Sequence, residues 1–97
     1  MKLILKASAR RDLAEICEWY EAQRPGLGDE FLDEYSRIAV RMEEFPTAFH
    51  EVHADVRCAR LIRFPYFIFD KVEAELLVGL AIVHQHRDPE VWQQRLT

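Results

Sequence analysis

The stretch Ala9-Arg10-Arg11-Asp12-Leu13-Ala14-Glu15-Ile16-Cys17-Glu18-Trp19-Tyr20, with Arg24-Pro25-Gly26-Leu27-Gly28 close behind it, decides the fold. Ala9, Leu13, Ile16, Cys17 and Tyr20 recur at steps of three and four, which lays one apolar stripe along a helix whose other face carries Arg11, Glu15 and Glu18. A second stripe follows, formed by Phe31, Tyr35, Ile38, Met42 and Phe45 and widened by Leu32 and Ala39. Pro25 disfavours helical geometry at Arg24, and Gly26 and Gly28 permit the positive-φ backbone of a tight turn. Two stripes joined by a Pro-Gly-Leu-Gly link predict an antiparallel helical hairpin, with helices over about residues 9–23 and 29–45.

Upstream of the hairpin, Lys2-Leu3-Ile4-Leu5-Lys6 has the length of a strand, and Ser8 is placed to cap the first helix. Downstream of Pro46 the pattern changes to runs rich in β-branched and aromatic residues. Phe49 to His53, Arg57 to Phe64, Tyr66 to Val72 and Leu76 to His84 read as four strands. Leu76 to Val83 is apolar on both alternating faces, as expected of a central strand covered on both sides. Val72-Glu73-Ala74-Glu75 fits a hairpin connection, and Pro65, which lacks a ladder donor, marks a bend. Asp88 can cap a short last helix with Pro89 in its first turn, carrying Trp92 and Arg95. The expectation is one α+β domain over residues 1–97, with an N-terminal strand, an antiparallel helical hairpin on an antiparallel sheet and a short C-terminal helix.

Ninety-seven residues, 49% hydrophobic and 31% charged, have the balance of a single folded domain. The net charge of -4 argues against a binder relying on a generally basic field, so direct DNA binding by the chain alone is not expected. Cys17 and Cys58 both lie inside apolar patterns and read as free core thiols, which suits a reducing cytoplasm. No apolar run is long enough for a signal peptide or a membrane span.

Few chemical motifs are present. There is no Gly-rich phosphate loop, no zinc-ribbon Cys spacing and no Gly-x-Ser-x-Gly elbow. The histidines at 50, 53, 84 and 86 do not have the company of a metal site, so neither metal nor cofactor is expected. Arg57, Arg60 and Arg63 form the densest local positive charge, suited equally to carboxylate and phosphate. On a continuous strand, alternation puts Arg57 and Arg63 on one face and Arg60 on the other. The final segment, His84 to Arg95, brings a His, an Arg and a helix-capping Asp to one corner, with Trp92 one turn later.

Four stretches in order carry a family resemblance: Ala9-x-x-Asp12-Leu13-x-x-Ile16 with Trp19-Tyr20; Pro25-Gly26-Leu27-Gly28-x-x-Phe31; Arg63-Phe64-Pro65-Tyr66-x-Ile68-Phe69; and His84-x-x-Arg87-Asp88-Pro89-x-x-Trp92-x-x-Arg95. Together they resemble the ParE/RelE superfamily of toxins from type II toxin–antitoxin modules. The resemblance implies a helical hairpin against a sheet and a bacterial toxin neutralised by a cognate antitoxin encoded beside it. It also implies one of two targets. Toxins like RelE cleave messenger RNA on the ribosome with basic and acid–base side chains on the sheet, whereas toxins like ParE poison DNA gyrase. Only Lys71 follows Lys6, so the lysine cluster of RelE-like sites is missing and gyrase interference is the expected activity. Under the ribonuclease alternative, Glu51 would serve as base, Arg63 as phosphate clamp and His84 or His86 as acid; a drifted toxin with another or no target is the third reading. Arg57, Arg60, Arg63, Arg87 and Trp92 are the expected contacts to target or antitoxin.

Overall fold

A computed structural model describes residues 1–87 and 90–96. The chain runs β1 (Lys2–Leu5), α1 (Ala7–Gln23), α2 (Leu27–Glu44), β2 (His50–His53), β3 (Val56–Arg60), β4 (Tyr66–Glu73), β5 (Leu76–His84) and α3 (Val91–Gln94). The expected α+β order is present, with both helices of the hairpin about two residues earlier at their start. Helix α1 begins at Ala7 rather than behind a Ser8 cap. Lys6 occupies the cap position without a side-chain bond, because an ammonium group has no lone pair to accept a helix N–H; its own N–H is held by the Gly79 carbonyl at 2.9 Å, so the chain turns straight from strand to helix. The expected cap at Asp88 and the first-turn Pro89 lie outside the described residues.

The hairpin turn uses its two glycines differently. Gly26 has φ +89° and supplies the left-handed turn, as expected. Gly28 does not; it lies inside α2, buried against α1, where a Cβ would come within 2.6 Å of the Cys17 carbonyl oxygen. It is a point of close backbone approach. The Glu21 carboxylate of α1 accepts the N–H groups of Gly26 and Gly28 at 2.9 and 3.1 Å, satisfying donors at the start of α2 that no local side chain caps. Helix α2 ends at Glu44, so Phe45 leaves the apolar stripe and is exposed.

The five strands form one sheet in the order β1-β5-β4-β3-β2. Strands β2 to β5 are antiparallel throughout, while β1 joins the far edge parallel to β5. The run expected as one strand from Arg57 to Phe64 pairs only as far as Arg60; the chain then bends through Pro65 and returns with the Leu61 N–H bonded to the Tyr66 carbonyl. Leu13, Ile16 and Tyr20 of α1 and Phe31, Tyr35, Ile38 and Met42 of α2 pack on one sheet face, against Ala59, Leu61, Ile68, Leu77 and Ile82. Phe67, Phe69, Ala81 and Val83 point to the other face, where Trp92 of α3 covers them.

Arg57 is not available to a partner. It points to the helical face, 4% exposed, and makes a two-pronged pair with fully buried Asp70 at 3.0 and 2.9 Å. It also donates to the Pro46 carbonyl and lies over the Phe49 ring. Burial pushes the Asp70 carboxyl above its ordinary range, against the pull of Arg57. The same burial, with the Asp70 charge adding to it, pushes the Tyr35 hydroxyl up to about 12 and the Cys58 thiol up to about 11. Cys17 and Cys58 are free thiols, as expected.

Two stability measurements check this account. Gly28→Ala should destabilise by about 1–3 kcal/mol in urea titration, because the methyl must push the two helix backbones apart. Arg57→Ala should cost about 3–5 kcal/mol by stranding Asp70 in the core, whereas Arg57→Met combined with Asp70→Leu should recover most of that loss.

Candidate functional site

The residues proposed for acid–base chemistry do not converge. Glu51 lies on edge strand β2 opposite Arg57, and its carboxylate accepts the Asp55 N–H at 2.7 Å. His84 ends β5, three strands away and five residues beyond the Gly79 that completes the same cross-strand row. With about 4.8 Å between strands and about 3.3 Å per residue, Glu51 and His84 stand roughly 20 Å apart. Arg63 belongs to neither neighbourhood. It lies in the bend after β3, where its guanidinium pairs with Glu30 of α2 at 2.8 Å over the Phe64 ring, and its N–H is held by Glu34. Arg63 and Arg24 together hold the Glu30 carboxyl below its usual range.

The expected binding residues divide in the same way. Arg57 is structural. Trp92 is buried, stacked on Phe69 at 5.7 Å with the His53 ring beyond it. Arg60 and Arg87 are exposed, and neither has an ion pair with a described residue. They lie at the same end of the sheet, since Arg60 faces Phe67 across β4 and Arg87 follows His84, which faces Tyr66.

Two concave surfaces remain. The first, about 560 Å³, runs between α1 and the ends of β4 and β5. Ile16, Trp19, Tyr20 and Tyr66 give it an apolar, mostly aromatic lining, and Glu15, His84 and Arg87 add polar groups. Trp19 is 58% exposed and edge-on to Tyr20, whose hydroxyl is pushed up to about 12 by burial and then by the neighbouring Tyr66. The His84 ring meets Tyr66 edge-on at 5.1 Å, and its Nδ1 accepts the His86 N–H at 3.1 Å. That bond leaves Nε2 as the outward-facing donor. The second surface, about 400 Å³, lies on the sheet face away from the hairpin, lined by His50, Val52, Cys58, Phe67, Phe69 and Trp92 among others. It is apolar apart from its rim. Among the described residues, no three His, Cys, Asp or Glu side chains come together as a metal site would require.

Sequence reasoning missed the first groove. Trp19 lies off the apolar stripe next to Tyr20, and a large aromatic at such a position was the available signal. Asp12 and Arg95, which meet at 2.5 Å beside this groove, are 83 residues apart and left no local trace.

Comparison with known proteins agrees with this architecture. No match was found among curated proteins. Among solved structures, a chain of the chromosomal ParDE toxin–antitoxin system from P. aeruginosa superposes with a TM-score of 0.68 at 19% identity, covering 87% of this chain and 95% of that one. At that identity the likeness speaks for the fold. The family model for the ParE toxin of the type II toxin–antitoxin system parDE matches residues 3–89, nearly the full length. The chain belongs to the ParE toxin family.

Proposed function

We propose that this chain is the growth-inhibiting component of a toxin–antitoxin pair, that it acts in the cytoplasm by binding DNA gyrase rather than by cutting RNA, and that a cognate antitoxin neutralises it. One observation carries the choice of target. The sheet face away from the hairpin, where a ribonuclease would need basic and acid–base side chains, holds an apolar groove lined by Val52, Cys58 and Phe67 beside buried Phe69 and Trp92, with His50 at its rim. A surface of that kind excludes water and favours a protein partner over a phosphate backbone. The roughly 20 Å between Glu51 and His84 also supports this reading, since general acid and base must reach the same scissile phosphate. Within the described residues no helix is long and apolar enough to cross a membrane.

The antitoxin is expected to bury apolar side chains and to set acidic ones against Arg60 and Arg87, which are exposed at one end of the sheet and make no ion pair with a described residue. Rim charges of this kind govern encounter rate and salt dependence more than affinity.

Induced alone in bacteria, the chain should halt growth with stalled replication, and the purified protein should inhibit gyrase supercoiling. Cleavage of ribosome-bound messages with gyrase unaffected would favour the RelE-like alternative. For the antitoxin contact, Arg60→Ala with Arg87→Ala should slow association with the product of the adjacent reading frame by about tenfold at low salt and flatten its salt dependence, with the thermal midpoint unchanged.

A further inference from the structure

The bend between β3 and β4 is fastened on both sides of Ile62. Leu61 is fully buried, and its N–H goes to the Tyr66 carbonyl at 3.0 Å. Phe64 is buried edge-on against Tyr20 and Phe31, and its carbonyl accepts the Tyr66 N–H at 2.8 Å. The Arg63 N–H is held by Glu34 at 3.1 Å and its guanidinium by Glu30 at 2.8 Å. Ile62 itself is 90% exposed, against 58% for Trp19, the next most exposed large apolar residue among those described. Single apolar side chains at a surface are ordinary, and exposure alone assigns nothing to Ile62. Its mounting sets it apart. A flexible loop that carries an apolar residue into a partner must first be ordered, and that cost is taken from the affinity. Here two buried side chains and two carboxylates of α2 already order the backbone, so inserting Ile62 immobilises one side chain only.

The charges around the tip limit what it can enter. Arg24 and Arg63 are both paired with Glu30, and Glu34 stands beside them, so two cations are balanced by two carboxylates. Arg60, two residues before the tip, is exposed and makes no ion pair with a described residue. A hollow of about 310 Å³ lies along Arg60, Leu61 and Ile62. One unbalanced guanidinium suits a single carboxylate. A run of phosphates would also pass Glu30 and Glu34, which disfavours a nucleic-acid backbone. We infer that Ile62 is the anchor by which this chain holds its target: it enters an aliphatic pocket on a protein surface, where a carboxylate at the pocket rim pairs with Arg60. Apolar anchors of this kind carry a large share of the binding energy when the pocket excludes water around them. The inference deepens the proposed function and rests on its reading of the chain as a toxin that works by occupying a protein.

The test compares Ile62→Asp and Ile62→Lys with Val40→Asp, which puts a charge on an exposed apolar site of α2 instead. Each chain is induced in bacteria and, once purified, assayed for inhibition of gyrase supercoiling. All three should unfold within a few degrees of the parent, since both sites are exposed. Ile62→Lys should need about tenfold more protein for half-inhibition, through loss of the apolar contact. Ile62→Asp should need about a hundredfold more, because its carboxylate also meets the one at the rim. Both should relieve growth arrest, Val40→Asp should not, and binding to the product of the adjacent reading frame should be unchanged in all three. Undiminished inhibition and arrest by the Ile62 variants, or lost antitoxin binding with inhibition intact, would overturn the anchor. Ile62→Lys as potent as the parent would assign the tip to phosphate and overturn the aliphatic pocket. Growth arrest is read whatever the target. Arrest relieved by both Ile62 variants, with gyrase untouched by the parent, would therefore support the anchor and remove gyrase, whereas a parent chain that arrests nothing would overturn both.

Discussion

The burial of β5 on both faces is the constraint on which the rest of this structure depends. Leu77, Gly79, Leu80, Ala81, Ile82 and Val83 are all buried, so the strand cannot exist without cover above and below. The helical hairpin covers one side. Trp92, on a single turn of helix, covers the other by stacking on Phe69. Two long helices shield one side, and on the other a single turn of helix led by Trp92 covers the sheet and leaves a groove beside it over Cys58, Phe67 and Phe69.

Polar chemistry in this molecule is mostly spent on closing the fold. Arg57 and Asp70 fasten β3 to β4 under the hairpin, Glu21 supplies the cap that α2 lacks, and Asp12 with Arg95 closes the part of the β5 edge that β1 leaves bare. Glu43 does the same at the sheet's border, accepting the Leu3 N–H at 2.7 Å, while Arg10 donates to the Leu5 carbonyl. A sheet edge left unpaired invites another chain, and blocking one edge with side chains directs that invitation elsewhere. Arg60 and Arg87, at one end of the sheet, take no part in this closure among the described residues.

The chain belongs to the ParE toxin family, and the groove on its outer sheet face is apolar with a polar rim. An apolar centre with a polar rim is the pattern of protein–protein contacts, whereas chemistry on a substrate needs preorganised proton donors and acceptors. The hairpin covers the opposite sheet face and leaves this one to Trp92 and its neighbours.

The sequence by itself determined the element order, because periodicity is local: stripes at steps of three and four make helices, and the doubly apolar run of Leu76 to Val83 makes a central strand. Pro25 with Gly26 and the bend at Pro65 also rest on backbone preferences that each residue carries with it, though the run expected from Arg57 to Phe64 was overread because alternation continues past Arg60, where pairing ends. Tertiary structure alone decided which charges are free. Arg57, Arg60 and Arg63 look alike in the sequence, yet one is buried on Asp70, one is exposed without an ion pair to a described residue, and one is tied to Glu30. Gly28 reads as a turn residue and is a packing contact, since the carbonyl it must clear belongs to another helix. The parallel placement of β1, the groove it leaves beside β5 and the Asp12–Arg95 pair likewise depend on residues far apart in the chain, whose meeting no local pattern encodes.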